Sequence, residues 1–144
     1  MLFRSQKGKL NYILELPAVA ITTMADKEAL NKIFTNLLSN AIKYAESRVN
    51  IKMNPPGRED DRITIEVKND GPLIPTEMAE KIFEPFFRLN GTKKSGTGIG
   101  LALARSLTEL HKGTLYLRQP DEGENVFILT IPLNHKSRIW THFL

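Results

Sequence analysis

One stretch of the chain leaves little choice of structure. Leu30, Ile33, Phe34, Leu37, Leu38, Ala41 and Ala45 recur at helical spacing, so a helix through them carries a continuous apolar stripe that must find a partner surface. Asp26 stands where an N-cap carboxylate meets the first free N–H groups, and Glu28 adds negative charge to the first turn. The neighbours of this helix read as strands. Leu10, Tyr12, Leu14 and Leu16 alternate with Asn11, Ile13 and Glu15 up to Pro17, the period of a half-buried strand. Beyond the helix, Val49, Ile51 and Met53 alternate, and after Pro55-Pro56-Gly57 and an acidic turn so do Ile63, Ile65 and Val67.

The remainder is shorter punctuation. Residues 1–8 read as irregular, and residues 76–83 as a short helix opened by Thr76. Glu84 to Ser95 holds Pro, Gly and charges without an apolar period and reads as a mobile loop. The next helix runs to His111 with Ile99, Leu103, Leu107 and Leu110 inward, and Lys112-Gly113 stops it. Thr114–Arg118 and Val126–Ile131 close the chain as a hairpin around Pro120–Asn125. Helices this few and this clumped do not make a doubly wound parallel sheet. The expected fold is an α/β (α+β) two-layer sandwich, a mixed five-stranded sheet covered on one face by about three helices. At 144 residues it is one domain, expected over 1–134, with 135–144 as a tail that carries Trp140 and either packs on the domain or begins a linker.

Composition removes several classes of function. There is no cysteine, hence no disulfide and no Cys-based zinc site. A net charge of +4, spread along the chain without a basic stripe, gives no reason to expect a nucleic-acid partner. No apolar run approaches the length of a membrane span and no signal peptide is visible, so nothing in this sequence is expected to cross a membrane.

Two features carry chemistry. Gly96-Thr97-Gly98-Ile99-Gly100-Leu101 puts three glycines in five residues at the start of a helix, where backbone can approach a ligand closely and free N–H groups attract phosphate. Leu101 or Leu103 stands where a Rossmann fingerprint needs its third glycine, and the Lys-Ser/Thr pair of a P-loop is missing. Asn36, Asn40 and Lys43 fall at i, i+4 and i+7 on one flank of the long helix. Read functionally, an Asn carbonyl reaches Mg²⁺, which needs only one or two protein oxygens besides water and phosphates, while Lys43 meets phosphate; read plainly, the row is a solvated flank.

These residues resemble the catalytic, ATP-binding domain of sensor histidine kinases. Asn36-Leu37-Leu38-Ser39-Asn40-Ala41-Ile42-Lys43-Tyr44 is similar to the family's N box, Asn69-Asp70-Gly71-Pro72 to its first glycine box, Ile82-Phe83-Glu84-Pro85-Phe86-Phe87-Arg88 to its F box, and Gly96–Leu101 to its second glycine box. All four stand in the family's order, and the likeness covers about residues 8–133. The resemblance implies the Bergerat sandwich shared with gyrase, mismatch-repair and chaperone ATPases, with ATP and Mg²⁺ as ligands. It makes Asn40 the Mg²⁺ ligand with Asn36 in support, Lys43 a phosphate contact and Tyr44 a wall of the pocket. The loop Arg88–Thr97 becomes the ATP lid, Arg88 the cation for the γ-phosphate, and Lys93 and Lys94 either add to that field or are solvated. Phe83 belongs to the box lining the site, although Phe83, Phe86 and Phe87 read chiefly as core that anchors the lid. Asn69, Asp70, Gly71, Ile74 and the run Gly96, Thr97, Gly98, Ile99, Gly100, Leu101 complete the implied site.

The chain departs from the family twice. The first glycine box usually reads Asp-x-Gly-x-Gly, its Asp accepting from the adenine amino group; here that position is Asn69, and Leu73 replaces the second glycine. Strand alternation sets Asn69 with Ile63, Ile65 and Val67 on the inner face and Asp70 with Glu66 and Lys68 on the outer one. An Asn amide both accepts and donates, so base discrimination is expected to be weaker than with Asp. The second departure is that His111, His135 and His142 are the only histidines, and none lies in a dimerisation helix. The implied function is therefore phosphoryl transfer from ATP to a histidine on a separate dimerisation domain of the same protein, with a response regulator downstream, a monomeric isolated domain and a homodimeric whole; the resemblance also implies a cytoplasmic location, as the cytoplasmic portion of a membrane-anchored sensor, without direct membrane contact of this domain. A gyrase- or chaperone-type hydrolase places a Glu general base where Asn36 stands, and Asn36 takes no proton. A non-catalytic nucleotide-binding module is the third reading.

Overall fold

The apolar stripe of the long helix lies where its periodicity requires, against a sheet. The computed structural model of the chain describes residues 2–4, 10–57, 61–88, 98–121 and 123–133. In chain order the elements are β1 (Leu2–Arg4), β2 (Asn11–Glu15), α1 (Lys27–Tyr44), β3 (Arg48–Asn54), β4 (Arg62–Asn69), two 3₁₀ turns (Thr76–Met78 and Lys81–Phe83), α2 (Gly100–Leu110), β5 (Thr114–Asp121) and β6 (Glu124–Pro132). The sheet order is β1-β2-β3-β4-β6-β5. β2 and β3 are parallel, with α1 as the crossover between them, and every other neighbouring pair is antiparallel. Five strands are those expected. The sixth, β1, falls in the segment read as irregular, because three residues on a sheet edge carry no period to read.

Asp26 caps α1 as expected, its Oδ1 accepting from the N–H groups of Glu28 at 2.9 Å and Ala29 at 3.4 Å. Ile33, Leu37 and Ala41 are buried, and Leu30, Phe34, Leu38 and Ala45 flank them against the same core. From the sheet come Val49, Ile63, Ile65, Val67, Leu115, Leu117, Phe127, Leu129 and Ile131. The Asp26 N–H also donates to His111 Nε2 at 3.3 Å, while His111 Nδ1 donates to the Leu107 carbonyl at 2.9 Å. His111 thus ties the end of α2 to the start of α1.

Two local expectations need correction. The segment 76–83 is not one helix but two 3₁₀ turns, since each holds only three residues and neither has a side-chain cap. On α2 the inward residues are Ala104 and Thr108, with Leu101 and Leu107 beside them, whereas Ile99, Leu103 and Leu110 are exposed. Small side chains let α2 lie close to α1. Thr108 satisfies its hydroxyl on the Ala104 carbonyl at 2.7 Å, so the polar atom is no obstacle to burial.

Alternation along β4 persists to its last residue: Ile63, Ile65, Val67 and Asn69 are all buried. Asp70 accordingly turns the other way, yet its carboxylate is not left to solvent. It accepts from the backbone N–H groups of Glu46, Ser47 and Arg48, each at 3.0 Å, and from the Ser47 hydroxyl. Asp70 therefore clamps the turn joining α1 to β3. Partial burial pushes its carboxyl up, but the hydrogen bonds from the Ser47 side chain and from the Ser47, Arg48 and Glu46 backbone outweigh it and lower the pKa from 3.8 to about 2.

A depressed folded-state pKa stabilises above the ordinary value and ceases to do so as pH falls through the depressed one. Asp70→Ala should cost about 1–2 kcal/mol at neutral pH, the scale of losing charge-assisted hydrogen bonds at a partly wet site. In urea melts of both proteins that gap should close as pH is lowered from 3.8 toward about 2; a gap independent of pH would refute the clamp.

Candidate functional site

Between α1, the start of α2 and the inner ends of β4 and β6 lies a cleft of about 290 Å³. α1 forms one wall. Asn36, Ser39, Asn40, Lys43 and Tyr44 line it, because the flank next to a buried stripe is what a helix presents to a groove beside its core contact. Lys43 Nζ stands 5.4 Å from the centre of the Tyr44 ring, a cation over an aromatic face. Arg88 adds a second cation, and Ile74, Ile82, Phe87, Leu101 and Phe127 supply apolar wall.

Two close approaches along α1 shape the cleft. At one end Gly100, the first residue of α2, lies against Asn36: a Cβ there would sit 3.1 Å from Asn36 Oδ1. Among the described residues no side chain caps the start of α2, so its first backbone N–H groups, which have no intrahelical partner, stand beside the amide flank. At the other end Gly71 lies against the last turn of α1, where a Cβ would collide with the Tyr44 carbonyl oxygen. Gly98 lies in the left-handed region with φ of 74°, and its carbonyl accepts from the Phe86 N–H at 2.9 Å.

The floor is a pair of buried amides. Asn69 and Asn125 face each other across β4 and β6 and are 1% and 3% exposed. Asn69 Oδ1 accepts from the Gly71 N–H at 3.0 Å and from Asn125 Nδ2 at 3.3 Å. Asn125 in turn accepts from the Ile74 N–H at 2.9 Å and donates to the Pro72 carbonyl at 2.9 Å. The pair thus fixes the chain from Gly71 to Ile74 over the cleft.

Comparison with known proteins gives the family of the chain. Residues 25–135 match the model described as histidine kinase-, DNA gyrase B- and HSP90-like ATPase. The chain belongs to this family of ATPases. It is similar to the adaptive-response sensory kinase SasA of Rippkaea orientalis, 34% identical over 130 residues, which are 89% of this chain and 33% of that protein. It is also similar to the sensor protein kinase WalK of Staphylococcus aureus, 33% identical over 129 residues, which are 84% of this chain and 30% of that protein. The chain spans about a third of the length of these curated relatives. Among solved structures, the nucleotide-free catalytic domain of histidine kinase ThkA matches at a TM-score of 0.71 and 31% identity, covering 85% of this chain and 78% of that one.

Of the residues singled out from the sequence, the ATPase fold brings Asn36, Asn40, Lys43, Tyr44, Asn69, Ile74, Arg88, Gly98, Gly100 and Leu101 around one cleft. Lys93, Lys94, Gly96 and Thr97, most of the Arg88–Thr97 lid, and the tail 135–144 lie outside the described residues. Four corrections follow. Asp70 is not among the lining residues; its carboxylate serves the α1–β3 turn. Gly71 borders the cleft through its packing on Tyr44 rather than lining it. Ile99 is exposed and outside the lining. Phe83 is buried core, its ring edge-on to Phe127 at 6.2 Å and under the Arg105 guanidinium at 4.2 Å. Its two companions divide. Phe86, with φ of 66°, is 70% exposed and anchors no core, whereas Phe87 lines the cleft.

The cleft also takes Ser39, Pro72, Ile82, Phe127 and above all Asn125, which the sequence reading does not single out. Asn125 does carry a signal: Asn125, Phe127, Leu129 and Ile131 alternate onto one face of β6 as Asn69 ends the inner face of β4, so Asn125 belongs to the strand rather than to the hairpin turn. Asn125→Ala should leave the Ile74 N–H and Pro72 carbonyl without partners and cost about 1–3 kcal/mol, with hydrogen exchange at Ile74 accelerated far beyond the global change. Exchange at Ile74 that merely tracks global stability would deny Asn125 this role.

Proposed function

We propose that the chain is the ATP-binding catalytic module of a sensor histidine kinase, which binds Mg-ATP and passes the γ-phosphoryl group to a histidine on a separate dimerisation domain. The observation that carries this reading is the gathering of Asn36, Asn40, Lys43 and Arg88 on one cleft that also receives the uncapped start of α2. Two cations and the N–H groups of a helix start suit a polyphosphate.

The donor set fits magnesium. Among the described residues no group of three His, Cys, Asp or Glu could hold a metal ion, so a cation here would take few ligands from protein and the rest from phosphate and water, as Mg²⁺ does. Asn40 would hold it through its amide oxygen, with Asn36 one turn earlier in support. Bound there, the ion would neutralise phosphate charge. Lys43 and Arg88 orient the phosphates, and Arg88 stabilises charge that builds on the transferring group. The apolar walls from Ile74, Ile82 and Phe127 exclude water from the base.

Asn36 also supports transfer over hydrolysis, because it occupies the position from which a carboxylate would activate water and it takes no proton. The partners that follow are the histidine-bearing domain and, downstream, a response regulator. Among the described residues no helix is long and apolar enough to cross a membrane.

Asn40→Ala should weaken Mg-dependent ATP binding by at least about tenfold while leaving circular dichroism unchanged, since Asn40 is outside the core stripe; unaltered titration calorimetry would remove Asn40 from the site. Given a histidine-bearing dimerisation domain in trans, Arg88→Ala should slow phosphoryl transfer by about a hundredfold or more, a larger loss than the one in ATP affinity. The domain alone should release phosphate slowly. Rapid Mg-dependent release, with no transfer to histidine, would favour the hydrolase reading.

A further inference from the structure

The amide pair on the cleft floor has a direction, and the direction bears on which base fits. The two glycine contacts mark the ends of the cleft along α1. Gly100 meets Asn36 and Gly71 meets the Tyr44 carbonyl, eight residues or about 12 Å apart at the rise of an α-helix. The uncapped start of α2 belongs to the Asn36 end. On the nucleotide reading above, phosphates occupy that end and the base lies at the other, where the buried polar side chains are Asn69 and Asn125.

Neither amide is free to turn over. A backbone N–H only donates and a backbone carbonyl only accepts. The Ile74 N–H therefore fixes the oxygen of Asn125, and the Pro72 carbonyl fixes its nitrogen. The Gly71 N–H fixes the oxygen of Asn69, which also receives Asn125 Nδ2. Both lone pairs of Asn69 Oδ1 are thereby used inside the protein. What Asn69 has left to offer a ligand is its amide N–H. Flipping it would set Nδ2 against both the Gly71 N–H and Asn125 Nδ2, donor against donor.

We infer that Asn69 is the base-specificity residue of this cleft and that it presents a donor, so that a 6-oxo purine nucleotide binds at least as tightly as its 6-amino counterpart. The 6-oxo group of hypoxanthine or guanine accepts from Asn69 Nδ2. The 6-amino group of adenine donates and finds no acceptor in Asn69, so adenine must use a ring nitrogen or an intervening water. An aspartate in the same place would keep Oδ1 bonded to Gly71 and Asn125 and turn its second oxygen, an acceptor, toward the base.

The test is titration calorimetry of the whole chain with ATP, ITP and GTP in the presence of Mg²⁺. ITP carries the 6-oxo group without the 2-amino group of guanine, and so reads the 6-position by itself. The wild-type protein should bind ITP with a Kd equal to or below that for ATP. Asn69→Asp, which keeps size and the Gly71 contact, should move the ATP-to-ITP preference toward ATP by roughly tenfold or more, the effect of replacing a mismatched hydrogen bond by a matched one. Wild-type binding measurably tighter for ATP than for ITP would overturn the inference and leave the nucleotide reading standing. So would an unchanged preference in a folded Asn69→Asp protein. Should that variant not fold, the wild-type ratio alone decides. Failure of all three nucleotides to bind would overturn the nucleotide reading and this inference together.

Discussion

The regular pleat of β4, kept to its final residue, aims three consecutive side-chain positions at three different tasks. Asn69 goes inward and meets Asn125 in the cleft floor. Asp70 goes outward and holds the turn between α1 and β3. Gly71 then brings the backbone against the end of α1, where no side chain would fit. A strand has a period of two, so a slip of one residue would exchange the first two tasks, putting a carboxylate in the floor and leaving the turn without its clamp. The mixed sheet depends on this junction as well, because the turn that Asp70 grips is the one delivering β3 into parallel pairing with β2.

The site is in this sense a by-product of packing. α1 has one face committed to the core by Ile33, Leu37 and Ala41, and the amide flank follows from that rotation. α2 approaches α1 closely because its inner face is Ala104 and Thr108 rather than leucine. The same close approach lets Gly100 lie beside Asn36, which brings the first N–H groups of α2 to the amide flank. Core geometry thus sets the separation between a helix terminus and a row of side-chain oxygens, with no residue dedicated to measuring it.

Much of this was legible from the residues because it is periodic. The stripe of α1, the alternation of β3 and β4 and the order of the four boxes require nothing beyond counting, and counting alone puts Asn69 on the inner face, where it is buried. What escaped was decided by tertiary contact. The leucines of α2 suggested an inward face at Ile99, Leu103 and Leu110, but helix separation favoured the small residues instead. Asn125 is hard to see because the turn chemistry of Pro120–Asn125 masks an alternation that begins one residue before Val126. The Asp70 clamp joins residues more than twenty positions apart, and no local pattern marks such a pairing. Phe86 and Phe87, identical neighbours in one box, take opposite roles because a left-handed backbone at Phe86 swings one ring out to solvent.

The hydrogen bond from the Asp26 backbone to the His111 ring has a mechanical meaning. It pins the C-terminal end of α2 to the N-terminal end of α1, so the two helices are joined at the end of α2 remote from the cleft. Halfway along α2 the Arg105 guanidinium is bonded to Glu80 at 2.9 Å and Ala104 is sunk in the core, so the helix is held along its length as well as at its end. The station of Gly100 beside Asn36 is then the far end of a braced beam, set by fastenings that lie outside the cleft.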